Sequence, residues 1–415
     1  MLNFRLVFNQ LSLLLVVLSL VLLVMAGGFF GLGALTGFTI DPEARLSFIL
    51  TGGSGLFVFG GLWLLTRRGS VRIGRREALL LVALSWILGA TFCALPYYFW
   101  AMLSSLADES HPFSSFAGCL FEATSGLTTT GASVLGSEGS TIEALPKSLL
   151  LWRAITHWIG GLGIVVLFVA VLPSLGVGGK RLYRLEAPGP TKDRFHPQVR
   201  ETARILWKIY VGLTIVQILL LKIAGMTWFD AICHTFSTLA TGGFSPRDAS
   251  VGAYDSMWIR SIIIVFMFLG GMNFALMYEI SRRRFSRVLH DPELRIYIII
   301  LLASMAIITV SLLIYEYPIT TSTGEVLPTT AALAASESVF TVLSIQSTTG
   351  FATSDYNQWP FIAKSVIVFL MFVVGCSGST AGGIKVIRIW IALRILWGEL
   401  EKVFRPQVVR PIRVG

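Results

Sequence analysis

The chain has 415 residues, of which 54% are hydrophobic and 13% charged, and its mean hydropathy is +0.74. A soluble domain cannot bury so much apolar surface, so the composition excludes an ordinary soluble protein and predicts a membrane protein. The net charge of +10 does not indicate nucleic-acid binding, because the basic residues cluster in alternate loops between apolar segments.

Eight apolar segments are each long enough to cross a bilayer as a helix. The first is too long for a cleaved signal peptide and is soon followed by the second, so both are expected to stay in the protein. We expect these two to form an N-terminal transmembrane hairpin, residues 1–70. The eight segments cover residues 11–35, 45–66, 78–103, 149–175, 204–225, 257–280, 294–315 and 361–396.

Three loops between these segments are rich in Lys and Arg, at residues 67–76, 180–204 and 282–295. The loops that alternate with them carry acidic residues instead. Because Lys and Arg are retained on the cytoplasmic side of a membrane, this alternation predicts a cytoplasmic N-terminus. The basic loops are also expected to contact anionic membrane lipid.

After the hairpin, one unit repeats three times: an apolar helix, a shorter semi-polar segment and a second apolar helix. The middle segments have about 11–16 residues, roughly 16–24 Å of helix, which is too short for a hydrocarbon core of about 30 Å. They are therefore expected to enter and leave the membrane on its outer side. The predicted boundaries are 71–185 for repeat 1, 186–290 for repeat 2, 291–400 for repeat 3 and 401–415 for a basic cytoplasmic tail.

Each middle segment ends in the pattern serine, three residues, threonine, one residue, glycine. The pattern occurs at residues 125–131, 237–243 and 344–350, and its glycines recur after 112 and then 107 residues. Non-helical backbone at membrane depth is tolerated only where it is buried in protein or lines water, so three such loops indicate a shared aqueous path. A fourth match, at residues 47–53, runs straight into an apolar span and is interpreted as small-residue helix packing.

These loops fit the demands of a dehydrated potassium ion, which needs a cage of oxygens to replace its water shell. Potassium channels build that cage from backbone carbonyls, and glycine permits the backbone angles that aim the carbonyls inward. The alternative is that the loops are glycine-containing turns around something else. We call them Thr/Gly loops 1 (128–132), 2 (240–244) and 3 (347–351). Their candidate filter residues are Thr128, Thr129, Thr130, Gly131, Thr241, Gly242, Gly243, Thr348, Thr349 and Gly350.

Four runs of residues are together typical of one family: EATSGLTTTG at 122–131, HWIGGLGI at 157–164, FLGGMNF at 268–274 and GCSGSTAGGIK at 375–385. On these runs, essentially the whole chain resembles the Trk/Ktr/HKT superfamily of potassium transporters, in particular the bacterial TrkH/TrkG-type membrane subunit. The resemblance implies an all-α integral membrane protein with an extra N-terminal helical hairpin. Its tandem helix–pore loop–helix repeats would surround a central pore, and a glycine in each filter would favour K⁺.

The resemblance also implies K⁺ uptake across the bacterial inner membrane, with K⁺ as the transported ion and no organic cofactor. A cytosolic nucleotide-binding regulator of the TrkA type is expected to dock on the basic loops, and the subunit is expected to form a homodimer. A K⁺ symporter coupled to H⁺ or Na⁺ is the alternative mechanism. The sequence has no recognisable cluster of nucleophile and base or of metal ligands, so no enzyme activity is predicted.

A glycine-rich loop, residues 375–383, interrupts the last apolar segment. About 21 Å of helix precede it, so the break falls just past the bilayer midplane, where unwound backbone must line water. In the family, the matching stretch is an intramembrane loop that gates the pore. The alternative is a helix kink with only a packing role. The candidate gate residues are Gly375, Gly378, Ser379, Thr380, Gly382 and Gly383.

Several charged residues lie close to the predicted pore. Lys385 and Arg388 follow the glycine-rich loop, and either tune cation passage at the inner pore or reach the cytoplasmic surface. Glu122 and Asp230 precede Thr/Gly loops 1 and 2 and either concentrate cations at the mouth of the path or hold those segments in place by hydrogen bonds; the second role is the one expected. The four cysteines form no CxxC pair and are expected to be small buried residues.

At the same period, a fourth copy of the pattern would fall roughly at residues 457–462, beyond Gly415. We therefore expect this chain to carry three of four filter quarters, with the fourth repeat absent. Three filters cannot close a four-fold ring within one subunit, so a chain that does not conduct alone is a further alternative.

Overall fold

The computed structural model describes residues 3–36, 41–67, 75–104, 110–136, 140–161, 163 and 199–404. The chain divides into two compact units, residues 1–248 and 249–415. The far end of the predicted span 149–175, much of the basic loop 180–204 and the tail from 405 onward lie outside the described residues.

The first unit holds the N-terminal helices and the segments around Thr/Gly loops 1 and 2. Two short 3₁₀ helices, Pro112–Ser114 and Ile142–Ala144, lie between its longer elements. Its described helices are α1 (Phe4–Thr36), α2 (Pro42–Thr66), α3 (Arg75–Leu103), α4 (Phe116–Leu127), α5 (Lys147–Gly161), α6 (Val199–Ile223) and α7 (Trp228–Leu239).

The second unit holds Thr/Gly loop 3 and the glycine-rich loop. Its described helices are α8 (Met257–Gly271), α9 (Phe274–Ser281), α10 (Phe285–Leu289), α11 (Pro292–Ile314), α12 (Ala331–Gln346), α13 (Phe361–Phe372) and α14 (Val386–Phe404). It also has two short 3₁₀ helices, Ser250–Ala253 and Tyr356–Gln358. Two very short strand pairs lie in the same unit: β1 (Ile319–Thr320) antiparallel to β2 (Val326–Leu327), and β3 (Val373–Val374) parallel to β4 (Ile384–Lys385).

Five helices in the described part of the chain are long and apolar enough to cross a membrane, or six if one bent pair counts as a span. They agree in position with five of the eight apolar segments predicted from the sequence. The last predicted segment, 361–396, is interrupted as expected, since α13 ends at Phe372 and α14 begins at Val386. The five spans are Phe4–Gly27, Pro42–Thr66, Leu79–Leu103, Arg204–Ile223 and Pro292–Ile314.

The segment 257–280 was predicted as one continuous helix, and this prediction is wrong. The chain bends by 107° between α8 and α9. Asn273 causes the break, because its side chain accepts a hydrogen bond from the Ala275 N–H (2.9 Å) and so caps a new helix. Two glycines, Gly270 and Gly271, end α8 just before it.

The three segments predicted to be re-entrant form short helices, α4, α7 and α12, of 12, 12 and 16 residues. At 1.5 Å per residue they are about 18–24 Å long, too short to span a hydrocarbon core. Each begins at a hydroxyl side chain that accepts a backbone N–H: Ser115, Thr227 and Thr330. These caps satisfy N–H groups that a helix start otherwise leaves unpaired.

The N-terminal hairpin packs through small residues of α2, which contacts both α1 and α3. A Cβ atom at Gly52 would lie 2.9 Å from the Ser19 carbonyl oxygen of α1, and one at Gly55 would lie 2.6 Å from the Phe92 ring of α3. Ser47 and Thr51 are buried in the same helix. The fourth match to the serine–threonine–glycine pattern is therefore a helix-packing surface, as predicted.

This packing makes Gly55 sensitive to any side chain. We expect Gly55→Leu to lower the stability of the detergent-purified protein by about 1–3 kcal/mol, because it overpacks the contact with Phe92. Gly53→Leu is the matched control, since no atom of the described residues lies within 4 Å of its Cβ position. The midpoint of thermal unfolding distinguishes them, and equal midpoints for the two variants would contradict this account of the hairpin.

Candidate functional site

The three Thr/Gly loops share one backbone conformation. The motif threonines Thr129, Thr241 and Thr348 have φ of 55°, 53° and 60°, and the motif glycines Gly131, Gly243 and Gly350 have φ of 77°, 83° and 79°. A positive φ at threonine is uncommon, because the Cβ atom crowds the backbone there. The match at 47–53 is helical instead, so conformation separates the three loops from it.

The backbone conformation of each loop determines the direction in which its carbonyl groups point. Thr128, Ala240 and Ser347, which precede the threonines, have φ of −83°, −76° and −76°. When right- and left-handed conformations alternate, successive N–H groups point to one side of the chain and successive carbonyls to the other. Each loop can therefore present a row of backbone oxygens to a cation.

The motif serine closes each loop through its own carbonyl oxygen. The Ser125 carbonyl accepts from the Thr130 N–H (2.9 Å), the Ser237 carbonyl from the Gly242 N–H (2.9 Å) and the Ser344 carbonyl from the Gly350 N–H (3.1 Å). These carbonyls belong to the last turns of α4, α7 and α12, where helix carbonyls lack intrahelical partners. The spacing of serine, threonine and glycine in the sequence pattern therefore corresponds to a hydrogen-bonded turn.

The three loops differ in the side chains on either side of the motif threonine. The hydroxyls of Thr128 and Thr130 pair at 2.8 Å in loop 1, and those of Ser347 and Thr349 pair at 2.7 Å in loop 3. Loop 2 has Ala240 and Gly242 at these positions. There the His157 ring occupies the space, since a Cβ atom on Gly242 would lie 2.6 Å from its Cε1 atom.

Two pairs of adjacent glycines, Gly160–Gly161 and Gly270–Gly271, allow the end of a helix to pack closely against a Thr/Gly loop. In the first unit, a Cβ atom on Gly161 of α5 would lie 2.7 Å from the Ala240 Cα atom of loop 2. In the second unit, a Cβ atom on Gly271 of α8 would lie 3.4 Å from the Ser347 Cβ atom of loop 3. Both pairs belong to runs on which the family resemblance rests. Each packs a helix of one predicted repeat against the loop of the next.

A buried ion pair holds the exits of loops 1 and 2 together. Arg153 and Glu122 are 2% and 0% exposed, and their atoms Nη2 and Oε1 lie 2.7 Å apart. The Ser133 hydroxyl, just after loop 1, donates to the Glu122 carboxylate (3.0 Å). Arg153 Nη1 donates to the Ser245 carbonyl, just after loop 2 (3.3 Å). Its guanidinium also lies 4.0 Å from the centre of the Phe244 ring.

The two corresponding short helices, α7 and α12, also carry acids that pair with arginine. Asp230 of α7 accepts from Arg247 (3.1 Å), and Glu337 of α12 accepts from Arg260 (2.9 Å). The Thr353 hydroxyl, just after loop 3, donates to Glu337. Glu122 and Asp230 therefore make the hydrogen bonds expected of them, while Arg153, Arg260 and Glu337 were missed by the sequence reasoning. Glu337 lies 13 residues before its motif glycine, as Asp230 does, and this was the one signal in the sequence; Arg153 and Arg260 share no such spacing.

The glycine-rich loop packs on the break between α8 and α9. The Cys376 N–H donates to the Gly271 carbonyl (2.8 Å), and the Thr380 hydroxyl donates to the Gly270 carbonyl (3.1 Å). In return, the Gly378 carbonyl accepts from the Phe274 N–H (3.1 Å). The loop thus satisfies polar groups that the helix break leaves unpaired.

Contacts from three further elements hold the same loop. The Glu293 carboxylate of α11 accepts from the Ser377 N–H (2.6 Å). The Gln346 carbonyl at the end of α12 accepts from the Gly375 N–H (2.9 Å), and the Thr348 hydroxyl of loop 3 accepts from the Gly382 N–H (2.9 Å). The structure therefore brings one candidate filter residue and the candidate gate residues into contact within the second unit.

Lys385 and Arg388 differ in their surroundings. Lys385 is 4% exposed, and its ammonium donates to the Ala381 carbonyl and lies 3.5 Å from the Ser379 hydroxyl. It therefore folds back on the glycine-rich loop and does not reach toward a surface. Arg388 is exposed at the start of α14. The four cysteines are free and buried, as predicted.

Comparison with known proteins gives one consistent result. A family model described as "TrkH: Cation transport protein" matches residues 48–415. The chain is 40% identical to the "Trk system potassium uptake protein TrkH" of Salmonella typhimurium, over 85% of this chain and 69% of that protein. It is 35% identical to the "Trk system potassium uptake protein TrkG" of Escherichia coli, over 86% of this chain and 69% of that protein.

A solved structure agrees with these matches. The crystal structure of the potassium transporter TrkH from Vibrio parahaemolyticus aligns with a TM-score of 0.79 and 33% sequence identity, covering 100% of this chain and 79% of that one. The fold class and the resemblance inferred from the sequence are thereby confirmed. The chain is an all-α integral membrane protein, not an enzyme, and it belongs to the TrkH family of cation transport proteins.

Proposed function

We propose that this protein takes up potassium ions across the bacterial inner membrane through a K⁺-selective, gated, channel-like pore. The observation that carries the proposal is the shared conformation of the three Thr/Gly loops, with positive φ at both the motif threonine and the motif glycine. Such loops present backbone carbonyls in place of the water shell of the ion. The names of the relatives, which are potassium uptake proteins, support the same ion.

The proposed filter needs a rigid frame, because its oxygens must keep their spacing when an ion leaves. The Glu122–Arg153 pair supplies that frame for loops 1 and 2, and the Glu337–Arg260 pair supports loop 3. None of the three loops contains a carboxylate, so selectivity by a charged ring is not proposed. A membrane potential of about 0.1 V contributes about 2.3 kcal/mol per ion, which is enough to drive uptake without a coupled ion.

The glycine-rich loop is the proposed gate. It lies against Thr/Gly loop 3 through Gly382 and Thr348, and hydrogen bonds at Cys376, Gly378 and Thr380 hold it on the α8–α9 break. Gly378 and Gly383 have φ of 74° and 75°, so the loop uses conformations that glycine adopts without strain.

A docking role for the basic loops also remains a proposal. Arg284, which precedes α10, and Arg287 within it are 52% and 61% exposed, which leaves charge for an acidic surface of a cytosolic regulator. A homodimeric assembly is proposed on the family resemblance alone.

The reversal potential of the protein in liposomes tests the transport mechanism. We expect it to follow the K⁺ gradient alone and to ignore imposed H⁺ or Na⁺ gradients. A reversal potential that moves with either of those gradients would establish the coupled symporter instead.

In the same assay, Gly350→Ser should shift the reversal potential toward Na⁺ with little loss of protein yield. No described atom lies within 4 Å of its Cβ position, so the change adds mainly backbone strain. Gly131→Ser is the comparison variant, because its Cβ atom would meet the Gly242 carbonyl oxygen and should also impair folding.

Replacing residues 375–383 by two or three glycines should raise K⁺ flux. Val373 pairs with Ile384 and Val374 with Lys385 across β3 and β4, at a strand spacing of about 4.8 Å. The cut ends Val374 and Ile384 therefore lie one register position apart on neighbouring strands, and a short linker can join them. The measurement is ⁸⁶Rb⁺ uptake into liposomes that contain equal amounts of folded protein. Unchanged or lost flux in a folded variant would argue for a kink with only a packing role.

Removal of the Glu122 charge should destabilise the protein strongly. Glu122→Gln leaves the Arg153 guanidinium buried without its counter-charge, which costs about 3–5 kcal/mol. Glu279→Gln is the matched control, because Glu279 pairs with arginines that are more than half exposed and such pairs contribute at most about 1 kcal/mol. Thermal unfolding in detergent measures both, and a similar small loss in each would refute a supporting role for the buried pair.

A further inference from the structure

One side-chain hydrogen bond joins Thr/Gly loop 3 to the glycine-rich loop. The Thr348 hydroxyl oxygen accepts the Gly382 N–H at 2.9 Å. Thr348 is the motif threonine of its loop and carries the unusual φ of 60°. The strained conformation directs this side chain, so the contact depends on the same backbone geometry that aims the loop carbonyls.

We propose that Thr348 is a positioning residue for the gate: its hydroxyl latches the glycine-rich loop in the closed position against Thr/Gly loop 3. This inference rests on the proposed function, in which the glycine-rich loop obstructs the path of the ion. It adds a specific link between the filter and the gate, made by one atom.

The glycine-rich loop is tied to the pore-helix side near both of its ends. Near its start, the Gly375 N–H donates to the Gln346 carbonyl (2.9 Å), and no substitution of a side chain removes that bond. Near its end, the Gly382 N–H donates to the Thr348 hydroxyl, which a substitution does remove. The opposite side of the loop is held separately, at Gly270, Gly271 and Glu293, so loss of the latch should release the Gly382 end without detaching the loop.

The chemistry of the hydroxyl group makes the latch responsive to the ion. A threonine oxygen has two lone pairs, so one can accept from Gly382 while the other remains available to a cation. A cation bound to that oxygen draws electron density from it and weakens it as an acceptor. Ion occupancy of the filter would therefore favour release of the glycine-rich loop.

Thr241 offers the matched control. It holds the equivalent position in Thr/Gly loop 2 with nearly the same φ of 53°, but its hydroxyl donates to the Ala240 carbonyl of its own loop (2.7 Å). Thr241→Val and Thr348→Val remove the same group from the same local conformation. If loss of a filter hydroxyl has a general effect, both variants will show it. If Thr348 is a latch, only Thr348→Val will open the glycine-rich loop more often.

Cys376 provides a reporter inside the glycine-rich loop. It is free and fully buried, and its N–H donates to the Gly271 carbonyl. In a protein whose other three cysteines are replaced by alanine, a small methanethiosulfonate reagent measures how often the loop opens. We expect Thr348→Val and Thr348→Ala to speed modification of Cys376 about 5- to 10-fold, the effect of one lost hydrogen bond, and to raise K⁺ flux.

Thr348→Ser keeps the hydroxyl and should restore the wild-type modification rate, whereas Thr241→Val should leave that rate unchanged. A second background with Cys233 as the only cysteine, which is buried in the first unit, reports general unfolding and should stay slow in every variant. Equal modification of Cys376 in Thr348→Val and Thr241→Val, or no rescue by serine, would overturn the latch. Absence of K⁺ flux in the wild type would instead overturn the proposed function, and the modification rates would still decide the latch.

Discussion

Inside a membrane, each backbone N–H and carbonyl group needs a partner within the protein, because lipid supplies none. Most of this chain meets that constraint with helices. Among the residues that the structure describes, the irregular segments include the three Thr/Gly loops, the break between α8 and α9, and the glycine-rich loop. The three Thr/Gly loops are closed by hydrogen bonds to carbonyls of the helices that precede them. The α8–α9 break and the glycine-rich loop supply hydrogen-bond partners to each other, at Gly270, Gly271, Phe274 and Gly378. The irregular parts of the structure are therefore interdependent.

The same constraint explains where the buried charges lie. An ion pair such as Glu122–Arg153 contributes little net stability, because both charges lose their hydration. Its value here is geometric: Ser133 and Ser245, which follow two different loops, both bond to it. Glu337 and Thr353 make a similar connection after loop 3. These contacts fix the positions of the loop exits within the structure.

Much of the architecture could be predicted from the sequence. Long apolar segments determine the transmembrane helices, and segments too short to span determine the re-entrant helices α4, α7 and α12. Glycines 375, 378, 382 and 383 indicated the interruption of the last apolar segment. The break at Asn273 could not be predicted in the same way, because the residues around it are as apolar as those of a continuous helix. It depends on a cap at Asn273 and on bonds from a segment more than 100 residues later in the chain.

The sequence by itself determined the membrane location, the number of Thr/Gly loops and the residue types within them, because hydropathy, length and glycine spacing are local properties. Only the tertiary structure decided which residues support those loops. Arg153 meets Glu122, Gly161 meets Ala240, and Thr348 meets Gly382 across 31, 79 and 34 residues of sequence, respectively. Contacts at such separations follow from packing and from the need to pair buried polar groups, and no local pattern records them.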